Sequence, residues 1–275
     1  MAGRLFVVAT PIGNLGDLSP RAVETLRQVR LIACEDTRHT RTLLSKHGVT
    51  TPTTSLPAFA EGQRAGALLD RLLGGDDVAL VSDAGTPAIS DPGERLVAEA
   101  VEAGVTVVPV PGPSAVVTAL CASGLPTGRF HFLGFLPRTQ ADARAMLAEV
   151  AGLSATLVLY ESPRRAHETL GRLRAALGDR RAVVARELTK LHETFLRGSL
   201  SELEARLAGV EVLGEVVIVV EGRTGPARWT EDEVRRALAA GLAAGEKLKG
   251  LSAELAERSG WPAKDLYRLG LDLKR

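Results

Sequence analysis

The chain has 275 residues, 45% of them hydrophobic, and its 34 Lys and Arg nearly balance its 33 Asp and Glu for a formal net charge of +1. That length suits two domains better than one, and that apolar content excludes a disordered chain. Near-neutral charge excludes a global field that would by itself gather a polyanion.

Residues 5–9 (LFVVA) read as a buried strand that runs into Thr10-Pro11-Ile12-Gly13-Asn14. Ser19 and Pro20 then start a helix with an apolar face of Ala22, Val23, Leu26 and Val29. Residues 31–34 form a short strand ending in Glu35-Asp36-Thr37-Arg38. Helices are expected at 40–47 and 62–73, with a Thr/Pro-rich connection over 50–57. The strand at 78–81 (VALV) leads into SDAGTPAISDPG at 82–93. Asp91 as N-cap, Pro92 at the first helical position and Glu94 at the third then predict a helix carrying Leu96, Val97, Ala100 and Val101, closed by Gly104. A β-branched run at 105–110 ends in Pro111-Gly112-Pro113-Ser114-Ala115, which opens an apolar helix stopped at Gly124.

A second series follows, with strands expected at 130–135, 156–160, 182–187, 192–197 and 215–221 and helices at 139–150, 163–177 and 199–207. The strand at 192–197 follows its neighbour too closely for a crossover helix, so that pair should be antiparallel and its sheet mixed. Residues 222–226 (GRTGP) read as a linker, and Thr230-x-x-Glu233 is a capping box. Two short helices then flank Gly260-Trp261-Pro262; their spacing is loosely that of a helix-turn-helix, but packing is the safer reading and no DNA partner is expected. The expected class is α/β, with an N-terminal α/β domain over 1–120, a second over 121–224 and a helical extension over 225–275.

The connection at 82–93 is the most informative stretch. Two glycines and two prolines bend it rigidly just past a strand end. Ligands of open α/β sheets lie outside the carboxyl ends of strands, and ordinary connections there are much shorter. The elbow at 111–115 follows the next strand, so the two are expected to face one cleft. No GxGxxG follows the first strand, no GxxxxGK[ST] exists, and no HExxH or Cys/His cluster supports a metal. Pro113-Ser114-Ala115 is not a GxSxG elbow. What is left is a protein that binds a preactivated small molecule and positions a second substrate beside it. Cys34 and Cys121 lie in apolar settings without CxxC spacing and read as buried thiols of a reducing compartment. Residues 1–4 (MAGR) do not open a signal-peptide core and no apolar run is long enough to span a bilayer, so a cytoplasmic protein without a membrane partner is expected.

The segments ATPIGNLGDLSPRA (9–22), ACEDTRHT (33–40), VSDAGTPAISDPG (81–93) and VPGPSAVVTALCASGL (110–125) carry a more specific signal. They continue in FLGFLPR (132–138), YESPRR (160–165), ARELTKLHETFLRG (185–198) and GEVVIVVEG (214–222). In these, the chain resembles the tetrapyrrole methylase superfamily, the class III S-adenosylmethionine-dependent methyltransferases. It is most similar to the branch that methylates the ribose 2′-hydroxyl of a cytidine in small-subunit ribosomal RNA. The superfamily's Gly-Asp-Pro signature is replaced here by Ser82-Asp83-Ala84-Gly85-Thr86-Pro87, which points to the RNA branch and away from the cobalamin and sirohaem enzymes.

The resemblance implies two α/β domains, a homodimer, and S-adenosylmethionine held in the cleft between the domains. The contacts it implies are Pro11, Ile12 and Gly13; Asp83, Ala84, Gly85 and Thr86; Ser114 and Ala115; Tyr160 and Glu161; and Ala185, Arg186 and Glu187. Each has a plainer role open to it: Gly13 and Gly85 can serve backbone turns, Asp83 can cap its loop, and Tyr160 can be a core aromatic.

Methyl transfer from sulfonium to oxygen is an in-line displacement in which alignment supplies most of the acceleration. A ribose hydroxyl is a weak nucleophile, so a base or a cation should assist it, and Lys190, Glu35 and Asp36 are the catalytic candidates. Lys190 can stabilise an alkoxide, serve as a base if a dry site lowers its pKa, anchor phosphate, or form an ion pair with an acid. Residues 161–197 carry nine Lys/Arg against five acids and residues 21–47 carry six against three. Such runs are commonly solvated faces, but two converging on a cleft suit a phosphate backbone. Arg38, His39 and Arg41 on one side and Arg164 and Arg165 on the other are the expected RNA contacts, with small-subunit ribosomal RNA, or the assembled subunit, as partner. Two rival functions remain: a methyltransferase for a precorrin-like small molecule, and a catalytically silent RNA- or ribosome-binding module.

Overall fold

In the computed structural model, which describes residues 2–224 and 229–273, the first half is a five-stranded, fully parallel sheet with helices on both faces. Its elements are β1 (Arg4–Val8), α1 (Pro20–Gln28), β2 (Leu31–Cys34), α2 (Thr37–Lys46), β3 (Thr53–Ser55), α3 (Glu61–Leu73), β4 (Val78–Leu80), α4 (Glu94–Glu102) and β5 (Thr106–Val110). The strand order is β3-β2-β4-β1-β5. One face packs Leu26 of α1 and Leu43 and Leu44 of α2 against Val8, Ile32 and Ala79. The other packs Leu68 and Leu72 of α3 and Leu96 of α4 against Leu5, Val78 and Leu80. β2 and β4 are buried on both faces, as strands covered by helices on both sides must be.

β3 lies in the stretch over 50–57 that the sequence gives as a connection. Its three half-buried residues pair with β2 at the sheet edge, too short and too polar to show an apolar pattern.

The start of α4 also differs from expectation. The helix begins at Glu94, and Gly93, at φ 122°, occupies the cap position. The cap comes from another helix: Glu61 Oε1 accepts from the backbone N–H groups of Gly93 (2.9 Å), Arg95 (3.0 Å) and Leu96 (3.4 Å). A carboxylate on these unpaired donors also meets the positive end of the helix dipole. Asp91, expected as the cap, is thereby released to another position. Glu61→Ala should lower stability by ~1–2 kcal/mol, the usual cost of losing an N-cap, read from the shift in a urea unfolding midpoint at unchanged slope.

The second half carries α5 (Ala115–Ser123), β6 (Phe130–Phe135), α6 (Gln140–Val150), β7 (Thr156–Glu161), α7 (Ala166–Leu177), β8 (Arg181–Arg186), β9 (Thr194–Ser199), α8 (Leu200–Leu207) and β10 (Val216–Val220). Its sheet runs β6-β7-β10-β8-β9 and is mixed, with β6 and β7 parallel and the other neighbours antiparallel. α6, α7 and α8 cover one face around Leu147, Leu170, Leu203 and Ile218. α5 covers the other, setting Val116, Ala119 and Leu120 against Val158, Val183 and Val217. Residue 120, the expected domain limit, therefore lies inside a helix that packs on the second sheet. Ile12, from the loop after β1, joins this same cluster and ties the two halves together.

Cys34 is buried, but Cys121 is exposed. α5 is apolar around its whole circumference, so its sequence does not show which side faces solvent. α9 (Glu231–Ala243), α10 (Leu248–Ser259) and α11 (Ala263–Asp272) form a separate helical cluster around Val234, Leu238, Leu251, Leu255 and Leu266. The Thr230–Glu233 capping box is present at α9. Residues 225–226 of the expected linker lie outside the described residues. No helix among the described residues is long and apolar enough to cross a membrane.

Candidate functional site

β4, β1 and β5 are neighbours in the first sheet and run parallel, so the loops that leave their carboxyl ends emerge side by side. Hydrogen bonds join these loops. Thr10 and Gly85 form an antiparallel bridge, with Thr10 N donating to Gly85 O (2.8 Å) and Gly85 N to Thr10 O (3.1 Å). The Thr10 hydroxyl donates to Ser82 O (3.0 Å), and the Thr86 hydroxyl to Pro113 O (3.3 Å). Gly85 takes φ 81°, where a side chain would be strained, and a Cβ there would sit 3.3 Å from Ile12. Ala88 (φ 67°) and Ser90 (φ 62°) also adopt the left-handed region, at a cost of ~1–3 kcal/mol each by the usual scale for such residues. The loop at 82–93 is thus held in a conformation its residues do not favour.

These loops form one wall of a cavity of ≈ 280 Å³, lined on the first half by Ile12, Ala84, Gly85, Thr86, Ile89 and Ser90, with Asp91, Ser114 and Ala115 beside them. The second half supplies Phe135, Tyr160, Glu161, Ser162 and Pro163, and, from the start of β10, Gly214 to Val217. Tyr160 is packed edge-on by Phe132 (4.9 Å) and Phe135 (5.5 Å). Burial, followed by the nearby Asp91 charge, raises the Tyr160 phenol above its ordinary value, so it remains a hydrogen-bond donor. Ser114 caps α5 by position, yet its hydroxyl makes no capping hydrogen bond. The lining is mostly apolar with a few convergent polar groups, the usual character of a small-molecule site.

Of the expected contact residues, Ile12, Ala84, Gly85, Thr86, Ser114, Ala115, Tyr160 and Glu161 line this cavity. The other six do not. Pro11 is buried. Gly13 lies against the second half: a Cβ would lie 2.5 Å from Lys190 Cγ and 2.9 Å from Thr189 Oγ1, and Asn14 N donates to that hydroxyl (3.0 Å). Asp83 Oδ1 accepts from Asp36 N (3.1 Å), joining the loop after β4 to the one after β2. Ala185 is buried in the apolar layer under α5, and Arg186 is a half-buried ladder residue opposite Val216. Glu187 Oε1 accepts from Lys190 Nζ (2.9 Å) and from Glu215 N (3.0 Å).

Glu35, Asp36 and Lys190 also lie outside the cavity wall. Asp36 is the N-cap of α2, accepting from Arg38 N (2.8 Å) and pairing with the Arg38 guanidinium (3.1 Å); those hydrogen bonds hold its pKa down. Glu35 is pushed up by burial and then by Asp83 and Asp36. The base role open to Lys190 required a depressed pKa, and here the structure corrects the sequence reading. Burial pulls the amine down, but its hydrogen bonds and ion pairs with Glu187 (2.9 Å) and Glu215 (3.2 Å) outweigh that and raise it.

Arg38, His39, Arg41 and Arg164 are exposed. Arg165 is not available in the same way, because its guanidinium is turned inward onto Leu136 O (2.9 Å), Pro137 O (3.3 Å) and buried Glu161 (3.5 Å). Its place in the YESPRR segment gives the charge but not the direction of the side chain. Ile89, Ser90, Asp91, Phe135, Ser162, Pro163 and residues 214–217 line the cavity without having been expected to. Ile89 to Asp91 were visible in the length of the loop. Val216 and Val217 were not, because a strand buried on both faces shows no alternation. No group of three or more His, Cys, Asp or Glu suited to a metal exists among the described residues.

The family model of Tetrapyrrole (Corrin/Porphyrin) Methylases matches residues 4–204. A "Ribosomal RNA small subunit methyltransferase I" of Synechocystis is 46% identical over 275 residues, 99% of either chain. A protein of the same description from Xylella fastidiosa is 48% identical over 269 residues, 96% of this chain and 98% of its own. The solved uroporphyrin-III C-methyltransferase of Thermus thermophilus, complexed with S-adenosyl homocysteine, superposes at TM-score 0.58 with 18% identity, covering 80% of this chain and 97% of that one. A solved diphthine synthase gives TM-score 0.61 at 18% identity, over 80% and 90%. At that identity these two show a shared fold.

Proposed function

The chain belongs to the tetrapyrrole methylases, and we propose that it transfers the methyl group of S-adenosylmethionine to the ribose 2′-hydroxyl of a cytidine in small-subunit ribosomal RNA. The observation that carries this reading is the near-full-length identity to relatives described as small-subunit ribosomal RNA methyltransferases, joined to a cavity between the two sheets.

The lining fits the family's methyl donor. Ile12, Ile89, Phe135 and Val217 offer apolar surface to a nucleoside base, and Thr86, Ser114 and Ser162 are among the polar residues of the lining. When bound, S-adenosylmethionine supplies a methyl group already activated on a positive sulfur. The chain's own part is to hold the hydroxyl in line with that group and to keep water away.

Arg38, His39, Arg41 and Arg164 are assigned to phosphate contacts that set register, while the cytidine itself enters the cleft. A net charge of +1 gives little nonspecific RNA affinity, which favours the assembled subunit over free RNA as substrate. A homodimer in the cytoplasm completes the reading.

Labelled methyl transfer tests it. Purified protein should label small ribosomal subunits that lack the modification, label protein-free RNA at least ~10-fold more slowly because few charges hold it, and leave uroporphyrinogen unlabelled. Labelling of the macrocycle would favour the small-molecule reading, and donor binding without any transfer would favour a silent scaffold.

A further inference from the structure

Three acidic residues line the cavity, and the carboxylates of two of them are committed elsewhere. Glu161 is fully buried and accepts from the Thr169 hydroxyl (2.6 Å) and Ser162 N (2.8 Å), with Arg165 beside it. Glu215 pairs with Lys190. Asp91 alone forms no ion pair with a lysine or arginine among the described residues. It is half-buried on the strained loop, next to Ser90 and across from Tyr160. Its helix-capping role has been taken over by Glu61.

We propose that Asp91 is the general base of the methyl transfer, accepting the proton of the ribose hydroxyl as that oxygen attacks. The inference rests on the RNA-ribose reading above. In the step, a lone pair of the hydroxyl oxygen forms the new O–CH3 bond. The C–S bond breaks with its electron pair remaining on sulfur, and the O–H proton passes to an Asp91 oxygen. The products are the methyl ether, a neutral thioether and a protonated carboxyl, so atoms and charge balance without a metal or a redox partner.

The surroundings suit that role. The titratable groups facing Asp91 are Glu35 from the loop after β2, Asp83 from the loop after β4 and the Tyr160 phenol from β7. Burial first, then the Glu35 and Asp83 charges, push Asp91 up to about 6, with the Ser82 hydroxyl opposing them in part. A base near neutrality is ionised at working pH yet still takes up a proton readily. Glu35, sought as a catalytic group in its own right, acts here through its charge on Asp91 and is a positioning residue.

The test compares wild type with Asp91→Asn by isothermal titration with S-adenosylmethionine and by labelled transfer to small ribosomal subunits from pH 5 to 9. Wild-type kcat/KM should rise about tenfold per pH unit below ~6 and level off above it, as for one essential base. Asp91→Asn should bind the donor within about threefold of wild type, lose about 100-fold or more in transfer rate, and lose the acid limb. Donor binding by the variant shows that it is folded. A variant that transfers at the wild-type rate with the same acid limb overturns the role of Asp91. A wild type that binds donor but never labels RNA overturns the substrate reading and this inference with it.

Discussion

Glu161→Ala should destabilise the protein by ~3–5 kcal/mol, the range for breaking a buried ionic network from one side. The carboxylate is fully buried at the end of β7, where Oε2 accepts from Thr169 Oγ1 at 2.6 Å and Oε1 from Ser162 N at 2.8 Å. Arg165 Nη2 stands 3.5 Å away and also donates to Leu136 O. Alanine leaves a buried hydroxyl, a backbone N–H and a half-buried guanidinium short of their acceptor, and each unpaired group costs free energy. Glu161→Gln keeps an acceptor oxygen and the shape, so its cost should be ~1–2 kcal/mol, about one charge-assisted hydrogen bond. Urea titrations at one pH separate the two variants by their midpoints. Equal, small shifts would show that the network contributes little.

Ser114→Trp should remove donor binding while leaving the fold intact. Ser114 lines the cavity at the N-terminus of α5, and its hydroxyl makes no capping hydrogen bond. The backbone bond that anchors the helix, Thr118 N to Ser114 O at 2.9 Å, does not involve the side chain. An indole at this position takes up a large share of the ≈ 280 Å³. Affinity for S-adenosylmethionine in isothermal titration should fall about 100-fold or more, equivalent to ~2.7 kcal/mol. Thermal melting without donor should change little. Unchanged affinity in a folded variant would place the donor outside this cavity.

Much of the architecture is legible in the sequence because the strands are β-branched runs and the helices carry their own start signals. Ser19 caps α1 by accepting from Ala22 N, and Thr230 and Glu233 form their capping box, both within a four-residue window. The readings that failed depend on distant partners. The Asp91-Pro92-Gly93-Glu94 pattern is a sound local cap, but Glu61, far away in sequence, occupies the helix end instead. Arg165 looks like its neighbour Arg164 in sequence, and only tertiary acceptors turn it inward. Cys121 lies on a helix whose outward side is as apolar as its inward side.

The candidate site divides in the same way. The loops at 82–93 and 111–115 are marked by their rigidity and by family resemblance, and their cavity-lining residues converge beyond the carboxyl ends of β4 and β5, the parallel strands on either side of β1. The opposite wall is harder to read. Phe135 belongs to an edge strand, and Val216 and Val217 to a central strand whose residues are all buried, so nothing in their pattern tells a ligand-facing side from a core-facing one. Asp91 was hidden by having a plausible structural role.

The most direct measurement of the proposed reaction is nucleoside analysis of the product. Small ribosomal subunits lacking the modification are incubated with the protein and labelled S-adenosylmethionine, and their RNA is digested to nucleosides and separated. The label is predicted in 2′-O-methylcytidine and nowhere else. Label in a base-methylated nucleoside, or none in RNA while the protein binds the donor, would contradict the assignment of this protein as a ribose methyltransferase.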